Sequence, residues 1–598
     1  MPALITEREL EFLLYDFLDT ESLLSRARYR DHSREVFQQT LDAARRLATD
    51  LFAPHNAKGD QNEPVFRDGA AVVIPEAHEA WKGFAQAGFL SAHWDEREGG
   101  FQLPEVILRA AMSLFFCANV STAGYPFLSI GAANLLRTFG TDALKRHYLP
   151  AMGNGDAAGT MCLTEPGQGS ALGDIKTYAV PQPDGTYRIF GQKMFISGGD
   201  QDITANIMHM VLARIEGAPA GAKGISLFLV PKWLLDDAGH PAQRNDVALA
   251  GLLHKMGWHN LTSTVLSFGE AGGATGFLLG EPHRGLAHMF QMMNEARIGV
   301  GLIGACLAYS GFAESLVYAR ERPQGRLPSA KDPLSPQVRL VEHADVRRML
   351  LAQKSYAEGA LALCLYASAL FEDQHTHPDP LRRASAQLLL DVLTPVVKSW
   401  PARYGCLSND LAMQVLGGAG YTREYPLEQL YRDQRLNPIH EGTEAIQALD
   451  LLGRKVVMQE GAAFQLLQAT VLEDMQRASE HPELKTHCQA LQQALASLAH
   501  TTEILRTRQA REIDLALANA TVYLDAFGRV VMGWLWLKQE VVALRALSTQ
   551  PSFDAYLQGK LQAAAFYFAW ELPATRAQFE LLNVFESTPM NMKEEWFL

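Results

Sequence analysis

The 598-residue sequence is poor in cysteine, in net positive charge and in long apolar runs. Its six cysteines show no Cys-x-x-Cys or metal-finger spacing, which predicts reduced, mostly buried thiols of a cytoplasmic protein and no metal site. A formal net charge of −13 argues against a nucleic-acid partner, since nucleic-acid-binding surfaces are basic. The most continuous apolar stretch, residues 298–312, falls short of the roughly 18 residues of a membrane helix. We therefore expect no membrane span, and the acidic first residues do not resemble a targeting signal.

Repeats and low-complexity segments are also missing, so domains must be inferred from changes in periodicity. Apolar spacing of three and four predicts helices in the first quarter and again in the second half of the chain. Between them, strands at 175–180 and 187–196 around Pro183-Asp184-Gly185 predict a hairpin. The sequence predicts a mainly α fold with a central β-domain, in four domains: 1–155, helical; 156–285, β; 286–455, helical; 456–598, helical.

One acidic residue has the setting of a general base. Glu441 lies in Pro438-Ile439-His440-Glu441-Gly442-Thr443, where a stiff loop is predicted to enter a helix with Thr443 as its N-cap. A carboxylate on such a turn can point into a cavity and take a proton from a substrate within hydrogen-bond reach. On these residues alone, a solvated glutamate near a helix start is the simpler alternative.

A glycine-rich segment at 161–173 offers open backbone. Gly167, Gly169 and Gly173 come close to a dinucleotide-binding fingerprint, but the spacing is off by one and a predicted hairpin follows where a helix is required. The loop still offers the hydroxyls of Thr164 and Ser170 and backbone N–H groups that suit a phosphate or an electron-rich ring edge. A plain glycine turn between domains is the alternative.

Two further segments have aromatic or glycine patterns of interest. Phe195 and Ser197 are two residues apart in a predicted strand and would share one face, either stacking on a flat cofactor or packing on a core. Gly417 and Gly418 follow a helical run and indicate a C-cap and turn. Such glycines also let a ligand or another backbone approach closely.

Eight ordered motifs together resemble the acyl-CoA dehydrogenase family of FAD flavoproteins: TEPGQGS, IKT, GQKMFISGG, GISLFLVP, KMGW, the arginine of EARIGVG, QVLGGAGYTREYP and IHEGTEAIQ. The resemblance covers residues 35–455. It implies an N-terminal helical domain, a β-barrel-like domain and a four-helix bundle, in agreement with the predicted order. Residues 456–598 resemble the extra helical domain of long bacterial members, which include enzymes for methylthiopropanoyl-CoA and for longer acyl chains.

The resemblance also implies roles for individual residues. FAD contacts are implied for Leu163, Thr164, Gly169, Ser170, Phe195, Ser197 and Thr443. Contacts to the FAD of a neighbouring subunit are implied for Arg322, Gln324, Gln414, Gly417 and Gly418. Substrate contacts are implied for Ser170, Arg297, Gly442 and Arg454. The chain departs from the family pattern at Phe195, where many members have tryptophan, at Ala171, where aspartate is frequent, and at Gly325, where an aromatic usually follows the glutamine.

Glu441 falls on the catalytic position of the family. Some members place the base on an earlier helix, directly before an arginine. Here Ala296 precedes Arg297, and Glu295 is one residue out of register. The resemblance therefore implies that Glu441 is the base, with His440 standing where tyrosine is common.

The implied reaction converts an acyl-CoA thioester to a 2-enoyl-CoA. Hydrogen bonds to the thioester carbonyl and desolvation by the substrate would make Glu441 a strong enough base for the α-proton. The electrons would pass to an electron-transfer flavoprotein, and an FAD site shared between chains implies a homodimer or tetramer. The acyl chain is open, since Met289, Met292 and Met293 are spaced either to line a pocket or to fill a core.

Three other functions remain as alternatives. An acyl-CoA oxidase, which passes electrons to O2, has the same fold. A DNA-associated flavoprotein of the alkylation-response type is also built on this fold, although the acidic charge disfavours it. A helical binding module with a vestigial site would lack bound flavin.

Overall fold

A computed structural model describes residues 3–549 and 554–598, without the side chains of 290–293. These residues form two compact units: a first unit of Arg34–Gly299, and a second unit of Ala3–Ser33 together with Val300–Leu598. Residues 3–33, predicted as part of the first domain, thus group with the second half of the chain. The four domain boundaries stay a prediction.

Helices occur in both units and make up most of the second, and several are long. Their bounds are α1 Glu7–Glu11, α2 Arg34–Leu47, α3 Asn56–Gln61, α4 Pro75–Gln86, α5 Glu105–Ala118, α6 Val120–Phe139, α7 Asp142–Gly153, α8 Gly285–Glu321, α9 Ala344–Thr376, α10 Pro380–Leu416, α11 Leu427–Gln434, α12 Glu444–Asp450, α13 Ala462–Ala478, α14 Lys485–Gln509, α15 Ile513–Leu517, α16 Ala520–Thr549, α17 Ala555–Phe566, α18 Thr575–Asn583 and α19 Thr588–Asn591.

Strands occur in the first unit. Their bounds are β1 Val65–Arg67, β2 Ala70–Val72, β3 Ala157–Cys162, β4 Tyr178–Pro181, β5 Tyr187–Ser197, β6 Asn206–Ile215, β7 Ile225–Pro231, β8 Trp233–Leu235, β9 Pro241–Arg244, β10 Val247–Leu252, β11 Ser263–Phe268 and β12 Ala274–Leu279.

Eight of these strands form one sheet in the order β10-β11-β5-β12-β7-β6-β3, and β4 pairs with both β5 and β6. Because β4 joins β5 to β6, the strands β4, β5, β12, β7 and β6 close into a ring, which confirms a barrel-like domain. The predicted hairpin is confirmed as β4 and β5, antiparallel with Tyr178 opposite Phe190. The parallel pairing of β3 with β6 places Cys162, at the end of β3, beside Val211 in the middle of β6.

Helix α6 packs closely on β3 and fixes the strand that leads into the glycine-rich loop. A Cβ at Gly159 would overlap the Ala132 side chain, so only glycine allows this approach. The Gly159 N–H donates to Ser129 Oγ at 2.9 Å. The end of β3 is thereby held at a defined distance from α6.

In the second unit, α16 packs against α9 and α10 and joins the predicted extra domain to the bundle. A Cβ at Gly359 on α9 would lie 2.9 Å from Trp536 Nε1, and one at Gly528 would lie 2.8 Å from the Trp400 ring on α10. Contacts this close between residues of neighbouring helices leave no gap between the helices. The last predicted domain is therefore packed on the bundle and shares its core.

The segment Ala3–Ser33 is tied to helices far away in the sequence. Glu9 Oε1 lies 2.7 Å from Lys560 Nζ on α17, and the same Nζ lies 2.8 Å from Glu358 Oε2 on α9. All three side chains are almost fully buried. Arg26 donates to Thr376 Oγ1 at 2.7 Å. A buried charge network and a further hydrogen bond thus link the segment to α9 and α17.

One helix among the described residues, α8, is long and apolar enough to cross a membrane by length and composition alone, with a mean hydropathy of 1.5 in an 18-residue window. The sequence prediction considered only the unbroken apolar run at 298–312, so it did not identify a helix of this length and composition. Of that window, 78% is buried within the protein, as in a core helix. The expectation of no membrane span stays a prediction.

All six cysteines are free thiols, four buried and two half-buried, which confirms their predicted burial. Burial raises the pKa of Cys162 to about 12 and that of Cys406 to about 11. Both side chains are therefore protonated at physiological pH and poorly reactive.

Candidate active site

The glycine-rich loop follows β3 directly and turns back on itself. The Glu165 N–H donates to the Gln168 carbonyl at 3.0 Å, and the Gln168 N–H donates back at 2.9 Å. Gly167 has a φ of +84°, and a Cβ at Gly167 or Gly169 would meet no atom of the described residues within 4 Å. The loop therefore presents open backbone that a side chain at either glycine would obstruct.

A buried ion pair that no motif predicted supports this loop. Lys193, fully buried on β5, donates from Nζ to the Leu163 carbonyl at 3.0 Å and to Glu165 Oε1 at 2.8 Å. Glu165 also accepts the N–H groups of Lys176 at 2.6 Å and Thr177 at 3.0 Å. Although burial opposes ionisation, Lys193 and these hydrogen bonds lower the pKa of Glu165, which stays charged. The signal in the sequence that could have revealed this ion pair is a lysine between the apolar positions of a buried strand.

Phe195 and Ser197 lie beside the loop, because the Met194 N–H donates to the Thr164 carbonyl at 2.9 Å. The pairing of β5 with β11 shifts its register in this region, and Phe195 has a φ of +59°. This bulge interrupts the two-residue alternation on which a shared face was predicted. Phe195 is 63% exposed and Ser197 is half-buried. An exposed phenyl ring next to open backbone suits a flat aromatic ligand.

Glu441 lies on a turn in which the carbonyl groups of Glu441 and Gly442 both accept hydrogen bonds. Glu441 has a φ of +54° and Gly442 a φ of +82°. Gln447 Nε2 donates to the Glu441 carbonyl at 3.0 Å, and the fully buried Lys398 donates from Nζ to the Gly442 carbonyl at 2.7 Å. A left-handed conformation costs a non-glycine residue about 1–2 kcal/mol and persists only where the surroundings impose it. Neither Lys398 nor Gln447 was predicted from the sequence.

The residues on either side of this glutamate are also constrained. Thr443 caps α12 by accepting a backbone N–H at 3.4 Å, which confirms the predicted N-cap. His440 is half-buried, with Nε2 3.2 Å from Asn437 Oδ1. Burial, with a smaller effect of the Lys398 charge, lowers the pKa of His440 to about 3. The imidazole is therefore neutral at physiological pH and adds polarity without charge.

The residues predicted to reach a neighbouring subunit are exposed. Gln414 lies near the end of α10, where Gly417 forms the predicted C-cap with a φ of +61°. A Cβ at Gly417 or Gly418 would meet no described atom within 4 Å. Arg322 and Gln324 lie on an exposed loop. The Gln324 N–H donates to the Val338 carbonyl on the other side of this loop at 2.8 Å. Their contacts to another subunit stay a prediction.

The predicted substrate contacts differ in environment. Arg297 is buried on α8, whereas Arg454 is exposed and forms an ion pair at 2.6 Å with an aspartate one turn earlier. Met289 is fully buried in the core of the first unit, which favours the core alternative. Met292 and Met293 have side chains outside the described residues.

Unusual backbone occurs at predicted functional residues in each of the two units. Ten described non-glycine residues have positive φ, and among them are Phe195, Trp258 of the KMGW motif, and Glu441. Such conformations cluster at functional sites because the fold must hold them against strain. The glycine-rich loop and Phe195 belong to the first unit and Glu441 to the second.

Family models and relatives cover nearly the whole chain. Models for the N-terminal, middle and C-terminal domains of acyl-CoA dehydrogenases match residues 34–156, 160–270 and 283–456, and an "Acetyl-CoA dehydrogenase C-terminal like" model matches 465–593. The chain is 33% identical to the broad-specificity linear acyl-CoA dehydrogenase FadE5 of Mycobacterium tuberculosis over 99% of both chains. It is 35% identical to the 3-methylmercaptopropionyl-CoA dehydrogenase of Ruegeria pomeroyi, over 90% of this chain and 91% of the relative.

A solved structure shows the same fold along most of the chain. The acyl-CoA dehydrogenase from Bacillus anthracis complexed with FAD matches with a TM-score of 0.73 at 20% identity, over 94% of this chain and 92% of the other. Helical domains on either side of a barrel-like β-domain define a flavoprotein dehydrogenase fold. The chain belongs to the acyl-CoA dehydrogenase family, and it is an oxidoreductase of acyl-CoA thioesters that uses FAD.

The residues of the first unit fit that cofactor. The backbone at Gly167 and Gly169 is open to a ligand, and the ring of Phe195 is exposed nearby. Backbone N–H groups and hydroxyls suit the polar edge and phosphates of FAD, and the phenyl ring suits its flat face. Lys193 holds the loop in this open form.

Proposed function

We propose that the protein removes the α- and β-hydrogens of an acyl-CoA thioester, with Glu441 as the base, and releases a 2-enoyl-CoA. The supporting observation is the fixed turn: the carbonyl groups of Glu441 and Gly442 accept hydrogen bonds from Gln447 and Lys398. The backbone that carries the carboxylate is therefore preorganised. A catalytic group held in this way needs little reorganisation when substrate binds.

In this mechanism the α-carbon of the substrate lies within reach of the Glu441 carboxylate. The thioester carbonyl accepts a hydrogen bond from the Glu441 backbone N–H, which stabilises the negative charge that develops as the α-proton leaves. The carboxylate takes that proton and becomes a carboxylic acid. Bound FAD supplies the acceptor for the β-hydrogen with its two electrons. Neutral His440 adds no competing charge beside the base.

The cofactor would be held by the open backbone of the loop and by the exposed aromatic ring beside it. We assign it to the open loop and strand of the first unit: Leu163, Thr164, Gly169, Ser170, Phe195 and Ser197. We also infer an electron-transfer flavoprotein as the acceptor, and a homodimer or tetramer in which the exposed turn at Gly417 and Gly418 completes a neighbour's site. Analytical ultracentrifugation tests the assembly, and a monomer would contradict it.

Glu441→Gln tests the assignment of the base. Glutamine keeps the size of the side chain but cannot accept the α-proton, so turnover should fall by roughly 100- to 10,000-fold while the flavin absorbance is retained. Glu444→Gln is the matched control, since it removes only a half-exposed ion pair with Arg403 at 2.8 Å. The measurement is anaerobic dye reduction with a panel of acyl-CoA thioesters. Undiminished turnover by Glu441→Gln would overturn the assignment.

Electron acceptor choice separates a dehydrogenase from an oxidase. With acyl-CoA and the holoenzyme, we expect rapid reduction of a dye acceptor without oxygen, and little hydrogen peroxide in air without the dye. Peroxide formed at the rate of dye reduction would instead identify an acyl-CoA oxidase.

A further inference from the structure

A small cavity in the first unit lies close to the predicted FAD loop. It has a volume of about 20 Å³ and is lined by Arg109, Phe127, Ile130, Gly131, Met161, Glu295 and Ala296. Met161 lies on β3, two residues before Leu163 of that loop. A water-sized group needs about 10–15 Å³, so the cavity has room for one methyl-sized group. Because Met161 lines it, the cavity lies next to the strand that leads into the glycine-rich loop.

The apolar wall of the cavity is rigid. The Phe127 ring contacts the Phe116 ring edge-on, with centroids 5.7 Å apart. On its other side, a Cβ at Gly299 of α8 would overlap the Phe127 ring, so the ring already fills the space that glycine leaves. Phe127 cannot move aside without displacing one of these neighbours. The cavity is therefore closed to longer apolar chains on this side.

The remaining wall carries a carboxyl group. Asn134 Nδ2 donates to Glu295 Oε2 at 2.9 Å, and Asn134 Oδ1 lies 2.7 Å from His93 Nε2. Burial, followed by repulsion from Glu105, raises the pKa of Glu295 to about 7 despite the charge of Arg109. Glu295 is thus a hydrogen-bonded, partly protonated acid at the cavity.

The cations near Glu295 are already paired. Arg109 Nε lies 2.7 Å from Glu105 Oε1, and Arg137 Nη2 lies 2.7 Å from Glu98 Oε2. Burial lowers the pKa of His93, so its ring is neutral. A carboxylate at the far end of an acyl chain would meet Glu295 and two arginines whose charges Glu105 and Glu98 already balance, so its own charge would stay unbalanced.

We propose that Glu295, held by Asn134 against the Phe127 wall, is a specificity-determining residue that restricts the enzyme to short, uncharged acyl chains. This inference rests on the proposed function. In this proposal the end of the acyl chain lies at the cavity, because Met161 in the cavity wall is two residues before the loop assigned to the flavin. The carboxyl group of Glu295 limits chain length by its volume, and its ionised form repels an anionic chain end.

The test compares kcat/KM of the holoenzyme for butanoyl-, octanoyl-, dodecanoyl- and glutaryl-CoA with a dye acceptor. We expect the wild type to prefer butanoyl-CoA to dodecanoyl-CoA and to glutaryl-CoA by at least about tenfold. Glu295→Ala opens the cavity and should raise the octanoyl-to-butanoyl ratio by about tenfold. Glu295→Gln keeps the volume, so it should leave that ratio unchanged and raise the glutaryl-to-butanoyl ratio.

Several outcomes would overturn the inference. A wild-type preference for dodecanoyl-CoA would do so, and so would a Glu295→Ala variant that loses activity equally on all substrates, because that pattern reports a structural role. If Glu295→Ala does not fold, Ile130→Ala widens the same cavity and must raise the octanoyl-to-butanoyl ratio. Failure of the proposed function looks different: the flavin-loaded wild type would then dehydrogenate none of the thioesters.

Discussion

Replacing Lys398 by methionine tests whether the turn at 441–443 is what positions the base. Lys398 is fully buried on α10, and its Nζ donates to the Gly442 carbonyl at 2.7 Å. Methionine keeps an unbranched side chain but removes this donor. A buried carbonyl that loses its hydrogen bond costs about 1–3 kcal/mol, which we expect as a loss in the free energy of unfolding.

We expect the Lys398→Met substitution to lower the turnover rate more than it weakens substrate binding. Displacing a catalytic group by about 1 Å can lower the rate by about 100-fold. Gln447 still holds the Glu441 carbonyl at 3.0 Å, so the turn loses one of these two ties. We therefore expect kcat to fall roughly 10- to 100-fold with little change in KM.

Lys455→Met is the matched control. Lys455 is also a buried lysine, and it forms an ion pair with Asp391. This variant should lose stability but keep kcat. The measurements are anaerobic dye reduction with butanoyl-CoA and urea unfolding followed by tryptophan fluorescence. A Lys398→Met protein with reduced stability and wild-type kcat would refute the link between this lysine and the geometry of the base.

Two further predictions concern stability. Lys560→Met removes the cation that Glu9 and Glu358 share and leaves Glu358 with only Lys354, so urea unfolding should show a loss of about 3–5 kcal/mol; an unchanged midpoint would contradict the pairing. His259→Gln removes a histidine whose hydrogen bond to Asp60 raises its pKa from 6.5 to about 9. Because a raised pKa stabilises the protonated form, the wild type should exceed the variant by about 1–2 kcal/mol below pH 6.5 and lose this advantage as pH rises through 9; a difference independent of pH would contradict this.

Features governed by neighbours in the sequence could be predicted. The hairpin of β4 and β5 follows from Pro183-Asp184-Gly185 between two strand-forming runs. Thr443 caps α12 because its hydroxyl competes for the first N–H groups of the helix. Gly417 ends α10 because glycine adopts positive φ without strain. Each of these depends on a few adjacent residues.

Features that depend on distant residues could not be predicted. Lys193 holds the Leu163 carbonyl from 30 residues away, and Lys398 holds the Gly442 carbonyl from 44 residues away. No periodic pattern encodes which carbonyl a buried lysine will meet. The bulge at Phe195 is a similar case, because it arises from the register of β5 against β11. The supports of the candidate site are thus less visible in the sequence than its motifs.

The attachment of residues 3–33 to the second unit has a consequence for biosynthesis. Glu9 and its partner Lys560 are 551 positions apart, so this segment leaves the ribosome long before α17 exists. Arg34–Gly299 is contiguous and can fold while translation continues, since domains generally fold as units as they emerge. Residues 3–33 therefore keep their apolar side chains exposed to water until α17 has been synthesised. We expect chaperones to bind this protein mainly during that interval.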